Sequence, residues 1–296
     1  GGSPTRGGMT WKSHDEILTY EEIALFARYA VQAGISKIRL TGGEPLIRRD
    51  VVGLVGDLCA IPDVKDISLT TNGLLLADYV DDLVKAGLRR INISIDSLKP
   101  DVYRRITRGG DLERVLDGLE AVLKAPLHPV KVNVVVLRGI NDDLEDFIEL
   151  AYNRPVHVRF IEYMPFNEEI GQDYFVSCSE MRRRIEGLGE FEEILSPPGA
   201  GPARYLKLKG ALGTLGFISP MSGHFCSRCN RLRLTADGKL RTCLFSDEEV
   251  DVRGVLRRGA GEGEVVKLIG ETLAKKPRDR FSARRKFQRR MFQIGG

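Results

Sequence analysis

Residues 37–45 of this 296-residue chain, Lys-Ile-Arg-Leu-Thr-Gly-Gly-Glu-Pro, combine a short strand pattern with a glycine-rich turn. Polar Lys37, Arg39 and Thr41 alternate with apolar residues, and side chains alternate between the two faces of a strand. The glycine pair follows at once and would allow a ligand to approach the backbone closely. Because ligands of α/β proteins bind at the carboxyl ends of strands, the stretch predicts a strand of an α/β fold with a binding loop.

The same alternation recurs in later segments, and helical patterns separate them. The predicted strands lie near residues 36–41, 66–71, 90–96, 130–137 and 156–161. The predicted helices between them lie near residues 50–60, 77–86, 111–124 and 142–152. Strands that alternate with helices form parallel sheets through right-handed crossovers, so the fold class is an α/β barrel or a doubly wound sheet.

The two faces of these strands differ in polarity. Apolar residues such as Ile91 and Ile93 can lie under the helices, whereas Asn92, Ser94 and Lys131 face the other way. A closed eight-stranded barrel fills its interior with branched apolar side chains. We therefore predict a partial (incomplete) parallel α/β barrel whose polar lumen holds a polar ligand. The alternative is an ordinary sheet with one solvated face.

The patterns divide the chain into three parts. Residues 1–10 are glycine-rich and are interpreted as a disordered lead-in or a tag remnant. Residues 11–166 form the predicted barrel. In residues 167–296 the alternation stops, and a capped helix, short strands and a hairpin at Asp237-Gly238 predict a C-terminal α+β extension packed on the barrel mouth.

Composition narrows the functional classes. No apolar run reaches about 18 residues and no secretory leader is recognisable, so we expect a cytoplasmic protein with no membrane partner. Five cysteines are few for a chain of this length, and three of them, Cys226, Cys229 and Cys243, are clustered. This distribution indicates a metal site rather than a disulfide framework.

The formal net charge of +4 is concentrated near the end of the sequence. Residues 275–290 carry nine Lys or Arg against the single acid Asp279, a surplus of eight, so the remainder is net acidic by four. A basic segment of this kind can bind nucleic acid, line a pocket for a phosphorylated small molecule or be solvated. We expect no nucleic-acid partner.

The clustered cysteines have the spacing C-x2-C-x13-C, and the predicted hairpin folds the third thiol back toward the first two. Three thiolates at one point bind zinc or an iron–sulfur cluster. Zinc needs a fourth ligand, for which His224 is a candidate, whereas a four-iron cluster leaves one iron open. Spacing alone slightly favours zinc.

Arg231 and Arg233 follow the second cysteine in an Arg-Leu-Arg-Leu strand pattern that places both guanidiniums on one face. Lysines and arginines also occupy the polar face of the barrel strands, at Lys37, Arg39, Lys131 and Arg159. Arginine's forked geometry suits phosphate oxygens. If the cations converge they form a site for a phosphorylated ligand, although each arginine alone is more often a surface or salt-bridged residue.

A resemblance to a known family rests on motifs that occur in order along the chain. The sequence resembles the MoaA-type GTP 3′,8-cyclases of the radical S-adenosylmethionine (SAM) superfamily. The motifs are Thr41-Gly-Gly-Glu-Pro-Leu46 with Arg48-Arg-Asp50, Thr70-Thr-Asn-Gly73, Ile93-Ser-Ile-Asp96, Lys131-Val-Asn133, Arg159-Phe-Ile-Glu162, Cys226-Ser-Arg-Cys-Asn-Arg-Leu-Arg233 and Gly295-Gly296.

This resemblance implies a radical SAM partial barrel and conversion of GTP to (8S)-3′,8-cyclo-7,8-dihydroguanosine 5′-triphosphate, a lyase reaction of molybdopterin biosynthesis. It implies that Gly43, Ser94 and Met164 contact SAM. It assigns GTP to Arg39, Thr70, Lys131, Arg231 and Arg233, with Lys37 and Arg159 as further partners. It makes Cys226, Cys229 and Cys243 the ligands of a C-terminal [4Fe-4S] cluster whose open iron takes guanine, which replaces the zinc interpretation.

The sequence departs from the family pattern at one motif. The family carries C-x3-C-x2-C for the N-terminal [4Fe-4S] cluster, and here no cysteine precedes Cys59. We therefore expect the chain as printed to lack that cluster, its first barrel strand and radical formation. The alternative function is a non-enzymatic nucleotide-binding relative with a structural metal. Further expected partners are an electron donor and the next enzyme of the pathway, and the sequence leaves a homodimer open.

Overall fold

The computed structural model describes residues 12–165, 172–195, 201–223, 226–279, 281–283, 289 and 291–294. The α-helices are α1 (Tyr20–Gln32), α2 (Val51–Cys59), α3 (Leu76–Lys85), α4 (Pro100–Thr107), α5 (Leu112–Lys124), α6 (Glu145–Asn153), α7 (Cys178–Glu186), α8 (Val252–Arg257), α9 (Glu262–Ala274) and α10 (Met291–Ile294). In this part of the chain, no helix is both long and apolar enough to cross a bilayer.

Eleven strands are present in the described residues. They are β1 (Lys37–Leu40), β2 (Asp66–Thr71), β3 (Arg90–Ser94), β4 (Val130–Val136), β5 (Val156–Glu162), β6 (Phe191–Ile194), β7 (Arg204–Leu208), β8 (Thr214–Ile218), β9 (Arg233–Leu234), β10 (Lys239–Arg241) and β11 (Val250–Asp251). Eight form one sheet in the order β1-β2-β3-β4-β5-β8-β7-β6, and three form a small sheet in the order β11-β10-β9. The large sheet is open between its edge strands β1 and β6, which confirms the incomplete α/β barrel.

Strands β1 to β5 and β8 run parallel, because helices cross between most of them. Their apolar residues, such as Ile91, Ile93 and Val132, are fully buried in the main core with side chains of α2, α3, α5 and α6. On the opposite face, Lys131 is 2% and Arg159 is 3% exposed. This second face, called the polar face below, is therefore interior, and the alternative of a solvated face is wrong.

Elements whose sequence signals involve only neighbouring residues are present in the structure. At the start of α1, Thr19 Oγ1 accepts from the Glu22 amide at 3.2 Å, and the Glu22 carboxylate accepts from the Thr19 amide at 2.8 Å. These reciprocal contacts form a capping box, which a threonine followed three residues later by a glutamate favours. The five predicted strands and the four helices between them are present within a few residues of their expected positions.

The second half of the chain continues the first sheet. Strand β8 pairs in parallel with β5, with His157 opposite Thr214 and Arg159 opposite Gly216, and β7 then pairs antiparallel with β8. We expected residues 167–296 to pack on the barrel mouth, but strands β6 to β8 instead widen the sheet. The division of the chain at residue 166 therefore does not coincide with a break in the sheet.

The small sheet contains the predicted hairpin. Strands β9 and β10 pair antiparallel around Asp237-Gly238, and Gly238 has the left-handed φ of 76° that such a turn uses. Leu232 and Leu234 pack against a second core formed by α1, α8 and α9. This core fixes the position of the hairpin, and with it the stretch that carries Arg231 and Arg233.

Candidate functional site

Two rows of polar residues cross the polar face in strand register. The first row follows the pairings Thr70–Asn92, Asn92–Lys131, Lys131–His157 and His157–Thr214. Asn92 Nδ2 donates to Thr70 Oγ1 at 3.1 Å, and the His157 ring nitrogen Nδ1 lies 2.7 Å from Thr214 Oγ1. Since paired residues in parallel strands point to the same face, these side chains line one continuous band.

The second row lies two residues further toward the carboxyl ends of the strands. It follows the pairings Ser94–Asn133, Asn133–Arg159, Arg159–Gly216 and Gly216–Tyr205. Gly216 leaves room for its neighbours, because a Cβ there would lie 2.7 Å from the Tyr205 ring and 3.2 Å from Arg159 Cγ. Tyr205 on β7 therefore packs beside the Arg159 side chain.

The polar face concentrates positive charge. Burial first, and then the charges of Arg159, Arg90 and Arg39, lower the pKa of Lys131 to about 7. Burial and the neighbouring Arg159 and Arg231 lower the pKa of Arg39 to about 10, although its side chain keeps an exposed surface. These cations are therefore close enough to repel one another.

Few groups compensate this charge. Arg159 Nη2 donates to the neutral Asn92 Oδ1 at 2.7 Å, and its buried Nε has no hydrogen-bond partner. The carboxylate that acts on Lys131 is Asp66, and Arg90 Nε already donates to Asp66 at 2.6 Å. An anion bound here would gain from cations that are already desolvated.

The hairpin stretch supplies two further cations. Burial lowers the pKa of Arg231, and the charge of Arg231 acts on both Arg39 and Arg159. Burial and Arg231 lower the pKa of Arg233 to about 10, whereas Cys229 and Cys243 act to raise it. Electrostatic interactions therefore link Arg39, Lys131, Arg159 and Arg231, and Arg233 interacts both with Arg231 and with the two cysteines. The convergence of these cations on a ligand stays a prediction.

The glycine turn after β1 is open. Gly42 has a φ of 141°, a value that L side chains rarely adopt, and an added Cβ on Gly43 would meet no atom within 4 Å. The Glu44 carboxylate fixes the turn by accepting from the Asn72 amide at 2.6 Å and from Thr71 Oγ1 at 2.8 Å. The backbone at Gly43 is thus accessible to a ligand.

The three clustered cysteines are free thiols. Cys226 and Cys229 lie on a 3-10 turn in which the Cys229 amide donates to the Cys226 carbonyl at 3.0 Å, and Cys243 follows β10. Within the described residues, no three His, Cys, Asp or Glu side chains are placed closely enough to hold a metal ion. His224, the proposed zinc ligand, lies outside the described residues. Metal ligation by these cysteines stays a prediction.

The two isolated cysteines are unsuited to cluster ligation. Burial and the neighbouring Glu162 raise the pKa of the Cys178 thiol far above its usual value. Burial also raises the pKa of Cys59, whose Sγ lies 3.1 Å from the position of a Cβ on Gly87. Thiolates are the cluster ligands, so a packing role fits both residues better than cluster ligation.

Some predicted site residues lie outside the converging group. Lys37 is exposed and has no hydrogen bond or ion pair within the described chain. Ser94 and Met164 are half-buried. Sequence reasoning missed Tyr205, for which the small Gly216 is a weak signal, and Lys276, whose Nζ lies 3.7 Å from Cys229 Sγ. The SAM and GTP roles of the predicted residues stay predictions.

Known families match the two halves of the chain. The Radical SAM superfamily model matches residues 5–151, and the Molybdenum Cofactor Synthesis C model matches residues 156–282. The GTP 3′,8-cyclase of Moorella thermoacetica is 49% identical over 292 residues, which cover 98% of this chain and 90% of that protein. The chain belongs to the GTP 3′,8-cyclase family. The GTP 3′,8-cyclases of Pelotomaculum thermopropionicum and Alkaliphilus metalliredigens are 47% and 45% identical, each over 98% of this chain and 90% of theirs.

Membership of the GTP 3′,8-cyclase family makes the chain a radical SAM enzyme of molybdenum cofactor biosynthesis, with a lyase-type reaction. Solved structures are less similar to it. The match to Streptococcus suis SuiB covers 57% of this chain and 39% of the SuiB chain, with a TM-score of 0.49 and 15% sequence identity. That overlap is too slight to bear on function.

Proposed function

We propose that this chain binds GTP on its polar face and presents it for cyclisation by SAM-dependent radical chemistry. The observation that carries the proposal is the group of cations formed by Arg39, Lys131, Arg159 and Arg231, of which Lys131 and Arg159 are almost fully buried. Burial lowers the pKa of each, and the charges of neighbouring cations lower the pKa of Arg39, Lys131 and Arg159 further. A triphosphate carries several negative charges in a compact volume. It would relieve this repulsion and offer an acceptor to the buried Arg159 Nε.

The proposed orientation of GTP follows from the order of the groups. Arg39, Lys131 and Arg159 lie on the sheet, where Thr70 is available beside Asn92. Arg231 and Arg233 lie on the hairpin stretch that leads to the cysteines. With its phosphates on the strand cations, the guanine would lie toward Cys226, Cys229 and Cys243. Lys37 is a further candidate at the outer end of this group.

We infer two cofactor sites from the kinds of residue that this chain offers. The open backbone at Gly43, with Ser94 and Met164, would hold SAM at the carboxyl ends of the strands. The three clustered thiols are the donor set of a [4Fe-4S] cluster with one open iron. The radical-forming cluster of the superfamily does not fit the remaining cysteines, Cys59 and Cys178, so no step is derived through it.

The remaining partners follow the family pattern. When bound, SAM would supply the one-electron chemistry of the superfamily, while the chain's own residues bind GTP, orient it and exclude water. The reaction needs an electron donor, and a further enzyme of the pathway would consume its product. Reduced thiols at the cysteine cluster fit a cytoplasmic location.

Calorimetry on anaerobically reconstituted protein tests the nucleotide site. Lys131→Met and Arg159→Met should each weaken GTP binding by about 10-fold to 100-fold, since a charge-assisted hydrogen bond contributes about 1.5–3 kcal/mol. Lys85→Met is the control, because Lys85 is an exposed lysine paired with Asp82 at 3.1 Å. Affinity equal to the parent in both test variants would refute the proposed phosphate site.

Iron and sulfide analysis tests the metal. We expect about four irons and four sulfides per chain, because one set of three clustered thiols is present. Tight zinc without sulfide would favour the alternative of a nucleotide-binding relative with a structural metal. Two clusters per chain would contradict the ligand assignment.

A further inference from the structure

One lysine of the basic segment reaches the cysteine turn. Lys276 Nζ lies 3.7 Å from Cys229 Sγ and donates to the main-chain carbonyl oxygen of Arg231 at 2.8 Å. The side chain is partly buried, and it forms no ion pair with a carboxylate among the described residues. Its charge therefore faces a thiol and a peptide carbonyl.

The fold holds this lysine in place independently of the cysteines. Helix α9 ends at Ala274, and the Lys276 amide donates to the Leu273 carbonyl at 3.0 Å, which fixes the backbone after the helix. Val265 and Ile269 of α9 are fully buried in the second core, against which Leu232 and Leu234 pack. The same core thus positions both Lys276 and the stretch that carries Arg231.

We propose that Lys276 is a positioning residue of the three-cysteine site, donating an N–H···S hydrogen bond to Cys229 as a cluster ligand. The inference rests on the cluster that is part of the proposed function. Hydrogen bonds to cluster sulfurs and nearby positive charge stabilise the additional negative charge of the reduced state, so they raise the reduction potential. The second contact, to the Arg231 carbonyl, links this cluster ligand to the stretch that would bind GTP.

The neighbouring residue provides a matched control. Lys275 carries the same charge, caps the end of α9 and is exposed. Removing its ammonium changes the net charge of the segment equally, but no described contact joins Lys275 to a cysteine. A comparison of the two lysines therefore separates a contact effect from a general charge effect.

The test is a redox titration, followed by electron paramagnetic resonance, of reconstituted parent, Lys276→Met and Lys275→Met. At the parent's midpoint potential, Lys276→Met should lower the ratio of reduced to oxidised cluster about tenfold, which is about 59 mV for a one-electron couple. Lys275→Met should match the parent, and Lys276→Arg should restore most of the ratio. Lys276→Gln keeps a neutral N–H donor and should lower the ratio of reduced to oxidised cluster by a smaller factor. This variant replaces Lys276→Met in the test if the methionine variant does not fold.

The outcomes separate this inference from the proposed function. A cluster whose potential is unchanged in Lys276→Met and Lys276→Gln would overturn the role of Lys276 alone. If the reduction potential falls equally in the Lys275 and Lys276 variants, the effect is one of net charge, and the proposed contact is overturned as well. A parent protein that binds no iron and sulfide at all would overturn both this inference and the proposed cluster.

Discussion

Arg159 Nη2 donates to Asn92 Oδ1 at 2.7 Å across two strands of the sheet, so the guanidinium is held by a neutral amide. Both residues are almost fully buried. A buried arginine is usually paired with a carboxylate. Because an amide takes that place, the charge of Arg159 stays available to an anionic ligand.

The first prediction concerns Asn92→Asp. A carboxylate at this position would neutralise Arg159, so we expect GTP affinity to fall at least about tenfold, while guanosine affinity stays within about twofold. Calorimetry with both ligands measures this difference. Asn153→Asp on the exposed end of α6 adds the same charge elsewhere and should leave both affinities unchanged. An equal loss for guanosine and GTP would contradict a phosphate contact.

The second prediction concerns the protonation of Lys131. Burial and neighbouring arginines lower its pKa to about 7 in the free protein, and a bound triphosphate should raise that pKa again. Near pH 8 we therefore expect GTP binding to take up about one proton. Calorimetry in buffers of different ionisation enthalpy measures the uptake, which Lys131→Met should abolish.

The same lysine affects stability with a defined sign. In the unfolded chain its pKa is near 10.5, so between about pH 7 and pH 10.5 the unfolded state binds more protons than the folded state. The contribution of Lys131 to the free energy of unfolding thus rises with pH in this window, whereas GTP affinity falls. The free energy of unfolding of the ligand-free protein and the GTP affinity are measured as pH rises, in the parent and in Lys131→Met. The assigned pKa is wrong if both quantities fall together with rising pH in both proteins.

The third prediction concerns Gly216→Ala. The added Cβ would overlap the Tyr205 ring, and overpacking of this kind costs about 1–3 kcal/mol of the free energy of unfolding. Urea denaturation measures the loss. Tyr205→Leu removes the ring, so the double variant should lose less than the sum of the single variants. Additive losses would show that Tyr205 does not lie over Gly216.

The fourth prediction concerns Asp237, which accepts from Lys12 Nζ at 2.5 Å and from both terminal nitrogens of Arg289 at 2.9 and 3.0 Å. Burial alone would raise the pKa of Asp237, but the hydrogen bonds from Arg289, Lys12 and Thr235 lower it overall. Asp237→Asn should reduce the free energy of unfolding at pH 7 by about 3 kcal/mol.

The pH dependence provides the control for Asp237. A carboxyl with a depressed folded pKa contributes stability above its unfolded pKa and loses that stability as pH falls toward the folded value. The difference between parent and Asp237→Asn should therefore be constant above about pH 5 and shrink below about pH 4. A difference that is independent of pH would assign the effect to packing.

The sequence predicted the elements whose signals are local. Strand alternation and helical periodicity act within a few residues, which is why β1 to β5 and the helices α2, α3, α5 and α6 were predicted. Helix α4 was missed because it has two turns and one buried residue, Tyr103. Strand β6 was missed because its Glu192 and Glu193 are polar and exposed, so only pairing with β7 defines it.

The residues of the candidate site likewise fall into those that the sequence could predict and those that it could not. The polar alternation correctly placed Lys131 and Arg159 on one face, because strand geometry fixes side-chain direction. The contact between Lys276 and Cys229 joins residues 47 positions apart and depends on how α9 packs. No pattern of residue types could have indicated it. Spacing slightly favoured zinc but could not exclude an iron–sulfur cluster, since both use the same thiols.

The position of β5 has a consequence for how the molecule can be divided. The matched Molybdenum Cofactor Synthesis C region begins at residue 156, the first residue of β5, yet β5 pairs along its whole length with β4 of the radical SAM region. Cutting the chain between the two matched regions would remove one of the two neighbouring strands from β4 and from β5, both of which are largely buried. The two regions match separate sequence families, yet they are joined by strand pairing inside one sheet. Neither region has a complete hydrophobic core without the other.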